Sequence, residues 1–464
     1  MTVNETGFSS LDLAHQLIDN LDSLGYKEMT AIQAISLPEI LAGKDVIAKS
    51  KTGSGKTAAF GLGLLAQLKV KQFYIQAMVL CPTRELADQV SKELRRLART
   101  THNVKVLTLC GGKALGPQIG SLEHGAHIIV GTPGRIEDHI KKGRLAADRL
   151  KLLVLDEADR MLEMGFQPSL DTIIASLPNK RQTLLFSATY PEAIASMAEK
   201  ITHQAQFIEI DIEHHDNVIT EQAYEIDDEQ QRLNAIQLLM LKHEPSSAVV
   251  FCNTKRETEM IANYLKKQGL AAMALHGDLD QKDRDEVLVQ FDNKSITLII
   301  ATDVAARGLD IDALDLVVNY QIARDLDVHV HRVGRTGRAG NKGIACTLVS
   351  QKENYKLNLL EKHLGKSITI NVLPKSESLT DKPKLPEKLS LKINGGKKQK
   401  LRPGDILGAL TAGNDIDAHA IGKINIFDVC SYVAVNREMI KIALAKINQG
   451  KIKGRQFQAR KISL

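Results

Sequence analysis

Tryptophan is absent from this 464-residue chain, and all aromatic residues together make up 4% of it. A surface that works by stacking rings therefore has little to draw on. Cysteine is scarce as well. Cys81, Cys110, Cys252, Cys346 and Cys430 stand far apart, which excludes a paired-cysteine metal site and a disulfide framework. They are expected to be small apolar fillers in a reducing compartment. No apolar run approaches the roughly 20 residues of a membrane span, and the N-terminus shows no secretory pattern. The expectation is a cytoplasmic protein that does not engage membranes.

What is present is an ordinary globular composition, 43% hydrophobic and 25% charged, in a length that accommodates two or three cores. The net charge of +6 is unevenly placed. Residues 381–464 hold 17 Lys and Arg against 7 Asp and Glu, a net +10, which leaves −4 for the rest. The basic tail points to a polyanionic partner.

The stretch Leu152-Leu153-Val154-Leu155-Asp156-Glu157-Ala158-Asp159 organises the chain. Four apolar residues in a row read as a strand buried on both faces, and the acids after them fall at the strand's carboxyl end, where parallel sheets bind ligands. A carboxylate there suits Mg2+, with Asp156 as the ligand and Glu157 placed to orient or deprotonate a water. Taken alone, an Asp-Glu pair after a strand is more often simply solvated. A second motif changes the balance. Ser50, Lys51, Thr52, Gly53, Ser54, Gly55, Lys56 and Thr57 lie between a strand-like Asp45-Val46-Ile47-Ala48 and an Ala-rich helical run, the setting of a phosphate-binding loop. Backbone amides there favour anions, Lys56 reaches the outer phosphates and Thr57 joins Asp156 as a metal ligand. Ser50 stands where such loops usually open on glycine.

Apolar runs alternate with helical stretches along Val46–Ala48, Ala77–Leu80, His127–Val130, Leu152–Leu155 and Thr183–Phe186. The alternation resumes with Ala248–Phe251, Ala272–Leu275, Leu298–Ala301, Leu316–Asn319 and Ala345–Val349. Two similar α/β domains with parallel sheets follow from this pattern. Three prolines and no periodicity mark residues 373–388 as a linker. The last stretch reads as βαββαβ, with strands Leu389–Ile393, Gly422–Phe427, Tyr432–Val435 and Gln456–Lys461 and helices from Pro403 and Arg437.

Together these residues resemble the DEAD-box RNA helicases, over roughly the first 370 positions. The resemblance implies two RecA-like domains, at 1–207 and 218–372, and ATP with Mg2+ as cofactors. It implies adenine recognition by Gln33 with Lys27 and the upstream Phe8, although Met29 and Ala31 replace the usual prolines. Gly308 and Asp310 of a segment that touches both ligands would complete the nucleotide contacts. RNA contacts are implied for Pro82, Thr83 and Arg84, for Gly111 and Gly112, and for Thr132, Pro133, Gly134 and Arg135. In the second domain they are implied for Thr254, Gly277, Arg284 and Thr302. Amides, hydroxyls and arginines of this kind suit phosphate oxygens and ignore base identity. Ser187, Thr189 and His331 would couple the two sites. Lys56, Asp156, Glu157, Arg335 and Arg338 would be catalytic, the two arginines approaching the γ-phosphate when the domains close. A non-catalytic RNA clamp and a DNA translocase remain as other classes.

The tail, 389–464, resembles an RNA-recognition motif. Alternation turns Leu389, Leu391, Ile393, Val433 and Val435 inward and leaves Ser390, Lys392, Tyr432 and Ala434 on an open face. Tyr432 is the one aromatic at the usual stacking positions. Lys397, Lys398, Lys451, Lys453 and Arg455 are therefore expected to hold a folded RNA by its phosphates. A helicase core with this tail resembles the DbpA group of bacterial helicases, which implies 23S ribosomal RNA as partner, assembly of the large subunit as role, and a monomer.

Overall fold

The computed structural model describes residues 7–50, 53–210, 219–306, 314–337, 342–375 and 383–462. Described residues up to Ile210 form one compact unit and those from Ile219 onward another.

The first unit is a seven-stranded parallel sheet in the order β3-β4-β2-β5-β6-β1-β7. Its strands are β1 (Val46–Lys49), β2 (Ala77–Leu80), β3 (Val106–Leu109), β4 (Ile128–Gly131), β5 (Leu152–Asp156), β6 (Gln182–Ser187) and β7 (Gln206–Glu209). Every residue of β2, β4, β5 and β6 is buried, because helices cover both faces. That is why these strands read as unbroken apolar runs. Two apolar clusters result, one on each side of the sheet.

The second unit repeats the design. Its strands are β8 (Ile219–Ile226), β9 (Ala248–Cys252), β10 (Ala272–Leu275), β11 (Leu298–Thr302), β12 (Leu316–Asn319), β13 (Gly343–Ser350) and β14 (Thr369–Asn371), in the order β10-β11-β9-β12-β13-β8-β14. Numbered from one to seven, the two orders are identical.

The tail forms an antiparallel sheet within the same second unit. Its order is β16-β17-β15-β18, with β15 (Lys388–Ile393), β16 (Ile421–Ile426), β17 (Ser431–Asn436) and β18 (Ala459–Lys461). Helices Pro403–Thr411 and Ile440–Gln449 cover one face, where Leu389, Leu391, Ile393, Val433 and Val435 join a core. The inward residues are those that strand alternation names. The other face is not open. Ser390, Tyr432 and Ala434 are 1%, 2% and 0% exposed, because the Gln281–Asp292 helix and the turn after it pack onto that side. Alternation tells which residues share a face, but it says nothing of what a neighbouring domain lays over it.

Candidate functional site

The chain's motifs meet at the carboxyl edges of the two large sheets. In the first unit, strand order alone sorts them. The motifs after β1, β5 and β6 gather on one half of the edge, and those after β2, β3 and β4 on the other.

On the nucleotide half, Gly53 and Gly55 take φ of 83° and 96°, a left-handed backbone that glycine adopts without penalty. Gly55 is doubly constrained, since a Cβ there would lie 2.5 Å from Gln33 Nε2 and 2.8 Å from Thr30 Oγ1. The Gln33 amide explains the crowding. Its Nε2 donates to the Gly55 carbonyl at 3.0 Å and its Oε1 accepts from the Thr30 amide at 2.9 Å, so the glutamine braces the loop just before the Lys56–Gln67 helix. Lys56 is buried and donates from Nζ to the Ser50 carbonyl at 3.0 Å. The Ser50 amide in turn donates to Ser187 O at 2.9 Å, which fixes the loop's first turn where glycine is missing. Ser54 and Thr57 are half-buried and Lys27 is exposed. Phe8 is buried, edge-on to Tyr26 with centroids 6.2 Å apart; it supports the segment before Gln33 from the core and does not present an open ring. Lys51 and Thr52 lie outside the described residues.

Asp156 ends β5 and is 3% exposed. Burial, opposed by Lys56, pushes its carboxyl up to about 7. Glu157 follows in a left-handed conformation, φ 55° and ψ 53°, which is uncommon for a residue with a Cβ and typical of functional turns. Asp159 is the hub of the cluster. Its Oδ2 accepts from the Thr189 amide and hydroxyl at 3.0 and 2.9 Å, and its amide donates to Ser187 Oγ at 3.3 Å. Of the three residues expected to couple the two sites, Ser187 and Thr189 hold the last acid of the tetrapeptide directly.

On the other half, Thr83 caps the Arg84–Leu97 helix, its Oγ1 accepting from Leu86 N at 3.2 Å. Arg84 extends across to the next motif, its guanidinium lying over Gly111 and Gly112. A Cβ on Gly112, whose φ is 73°, would come within 2.0 Å of Arg84 Nη1. Thr132 precedes the Pro133–Lys141 helix, which has proline in its first turn, and Gly134 lies within that helix. Arg135 Nη1 donates to Lys113 O at 3.4 Å. Three segments far apart in sequence become one surface of amides and guanidinium groups.

The second unit places Thr254, Gly277 and Thr302 after or at the ends of β9, β10 and β11, the half that corresponds, strand for strand, to β2, β3 and β4. Thr254 caps its helix reciprocally with Glu257, and Arg284 Nη2 donates to Ala305 O at 3.4 Å. His331, Arg332 and Arg335 follow β12, but they do different work. Arg332 is 2% exposed and held by Asp303 at 2.6 and 2.8 Å, by Asn253 Oδ1 at 2.9 Å and by Gln321 O at 2.8 Å. Such a buried bidentate pair ties the start of β11's helix to the arginine segment. Sequence reasoning missed this pairing, and the available signal was Asp303 next to Thr302. His331 and Arg335 are half-buried. Gly308, Asp310 and Arg338 lie outside the described residues.

In the tail, Lys397, Lys398, Lys451, Lys453 and Arg455 are all exposed. They lie on two loops that touch, through Lys453 Nζ to Lys400 O at 3.4 Å. The two loops bring these five cations together in one basic patch.

Family models describe the same three parts. Residues 30–197 match the DEAD/DEAH box helicase, 230–340 the helicase conserved C-terminal domain and 390–461 the DbpA RNA binding domain. The chain is 49% identical to the ATP-dependent RNA helicase DbpA of Escherichia coli, covering 98% of this chain and 99% of that one. It is 35% identical to DbpA of Bacillus subtilis over the same shares. Among solved structures it is similar to Saccharomyces cerevisiae Dbp5 bound to RNA and ADP BeF3, at 30% identity and a TM-score of 0.72, covering 81% of this chain and 97% of the other.

Proposed function

Because the chain belongs to the DEAD-box ATP-dependent RNA helicases, of the DbpA type, we propose that its RNA is the large-subunit (23S) ribosomal RNA and that it opens short duplexes there during assembly of that subunit. The observation that carries the target is the basic patch of Lys397, Lys398, Lys451, Lys453 and Arg455, gathered from two loops of a tail whose stacking face is occupied. A patch of that kind grips a folded RNA through its phosphates and its shape.

ATP binds, in this reading, to the loop from Ser50 to Thr57, with Gln33 reading the adenine edge through the second Nε2 hydrogen and the second Oε1 lone pair that its contacts to Gly55 and Thr30 leave. Mg2+ suits Thr57 and Asp156: a buried carboxyl pushed up to about 7 by desolvation is an acid awaiting a compensating cation, and the ion would neutralise charge between phosphates. Lys56 leaves Ser50 O for the outer phosphates, and Glu157 orients the attacking water. Arg335 and Arg338 belong to the other RecA-like domain, so turnover requires the two domains to close. Closure joins two phosphate-tracking edges into one groove. A groove that accepts a bent single strand pries base pairs apart as it forms, and hydrolysis reopens it.

Two outcomes are expected. ATPase activity of the full chain should be stimulated more by fragments of large-subunit ribosomal RNA than by generic single-stranded RNA. The preference should drop at least tenfold on changing Lys451, Lys453 and Arg455 together to alanine, while stimulation by generic RNA stays within about twofold; an unchanged preference would place selectivity in the core. The second concerns pH. The Asp156 carboxyl is raised in the folded state, so its ionisation disfavours folding as pH rises through about 7, and a cation that needs the ionised form offsets this. Mg2+ binding with nucleotide is expected to tighten as pH rises from about 6 to 8, with release of a proton. Calorimetry in two buffers of different ionisation enthalpy measures that release, and zero release would mean that Asp156 is already ionised.

A further inference from the structure

The Leu326–Val333 helix leads from β12 to the segment that carries Arg335, and two buried polar side chains tie its inner face to the sheet. Arg332 is one. Its partners Asp303 and Asn253 follow β11 and β9, on one side of β12. His329 is the other. It is 0% exposed, and its Nε2 lies 3.7 Å from Oε1 of Glu221, a residue of β8, on the far side of β12. Three positions apart, the two side chains share a face of the helix. Their anchoring strands β9 and β8 are separated by three strand spacings, or about 14 Å.

The anchor on β8 is a charged group in an apolar setting. Ala223, two residues further along the strand and so on the same face, packs in a buried cluster with Ile322 and Leu360. Burial pushes the Glu221 carboxyl up, but His329 and Lys366, whose Nζ is 3.3 Å from Oε2, more than offset this and hold it below the usual carboxylate range. The contact to His329 is nonetheless open. At 3.7 Å it exceeds hydrogen-bond reach, and among the described residues neither ring nitrogen nor Glu221 Oε1 has a hydrogen-bond partner. Buried polar groups in that condition are rare, and apolar side chains of similar size would serve stability as well or better. Stability does not account for the pair.

What the pair steers does account for it. Arg332 and the main-chain bond from Leu314 to Arg335 fix the far end of the helix and the turn beyond it. At the near end, His363 meets Asp327 at 3.1 Å, but that contact is open to solvent and weak for that reason. Without His329 the helix can roll about its Arg332 anchor, which turns the direction in which Arg335 leaves the chain. A misplacement of about 1 Å at a reacting centre can cost ~10²-fold in rate.

We propose that His329 is a positioning residue for hydrolysis: with Glu221 it sets the roll of the helix that feeds the arginine segment, and so the line along which Arg335 meets the γ-phosphate. This rests on the role assigned to Arg335 above.

The test uses the full chain, with RNA-stimulated ATPase, affinity for nucleotide and RNA, and thermal melting read on each variant. His329→Leu should lower kcat about tenfold, while KM for ATP and affinity for RNA stay within about twofold and the melting temperature is unchanged or higher. Glu221→Leu opens the same contact from β8. It should lose as much, and the two changes together no more than either alone; should His329→Leu not fold, Glu221→Leu carries the comparison. His329→Gln, which keeps a donor toward the carboxylate, should recover to within about threefold of wild type. Beside Arg335→Ala, His329→Leu should cost less than about twofold further, because the group it positions is gone. Wild-type kcat in His329→Leu and Glu221→Leu would overturn the proposal. So would a fall in kcat matched by losses of affinity and melting temperature, or a tenfold loss that persists beside Arg335→Ala. With Arg335→Ala itself slow, those outcomes leave the arginine's role standing. Should Arg335→Ala turn over at the wild-type rate, the arginine reading fails and this proposal with it.

Discussion

Glu157→Gln is expected to abolish turnover while leaving ATP and RNA bound. The loss should be of order 10²–10⁴ in RNA-stimulated hydrolysis, the range that general-base catalysis supplies, or about 3–5 kcal/mol of barrier. Three observations make this a clean substitution. The two side chains have the same shape, and the left-handed backbone at φ 55° costs a glutamine what it costs a glutamate. Glu157 occupies the cap position of the Ala158–Glu163 helix, but its carboxylate makes no capping hydrogen bond; the main-chain carbonyl accepts from Arg160 and Met161 instead. Asp159, which grips Thr189 and Ser187, is untouched. A single-turnover assay with labelled ATP, beside an equilibrium RNA-binding measurement, separates the steps. Wild-type turnover in the variant would remove Glu157 from the chemistry and leave the water to be oriented by another group.

The parts of this molecule legible in the sequence are those buried on both sides. β2, β4, β5 and β6 announce themselves because each residue is covered by helix, and β9, β11 and β12 do so for the same reason. β7 and β14 are edge strands with most side chains exposed, so no apolar run marks them. β8 carries three consecutive polar residues, Thr220, Glu221 and Gln222, and gives no apolar run either. The glycine loop from Ser50 to Thr57 and the tetrapeptide are readable because their chemistry is packed into a few consecutive residues. The brace between Gln33 and Gly55 was not, being a contact over 22 positions. Neither was the pairing of Arg332 with Asp303, nor the covering of Ser390 and Tyr432 by a helix and its following turn, 95 and 146 positions earlier at the contacts. Those features depend on which elements the topology makes neighbours, and no local pattern carries that information.

Arg335→Ala should lower RNA-stimulated hydrolysis by about 10³, the scale of an arginine delivered to a developing phosphoryl charge, with ATP affinity in the absence of RNA changed only a few-fold. The prediction requires that the segment keep its shape without the guanidinium, and its main chain provides for that. The Arg335 carbonyl accepts from the Leu314 amide at 3.1 Å, the Thr336 hydroxyl donates to the Leu314 carbonyl, and the Arg335 amide donates to Arg332 O at 3.1 Å. Thr336 is 1% exposed, and Gly343 packs so closely on Thr336 and Gly337 that a Cβ there would not fit. Arg332, anchored on Asp303 and Asn253, holds the other side. The turn is thus set by backbone and by its buried neighbour, so truncating the Arg335 side chain should leave the course of the segment unchanged. Arg335→Lys distinguishes charge from geometry. A lysine keeps the point charge but not the planar fork, so recovery of no more than about tenfold is expected. Unchanged turnover in Arg335→Ala would show that the second RecA-like domain supplies no arginine from this position, and full rescue by lysine would show that charge alone suffices there.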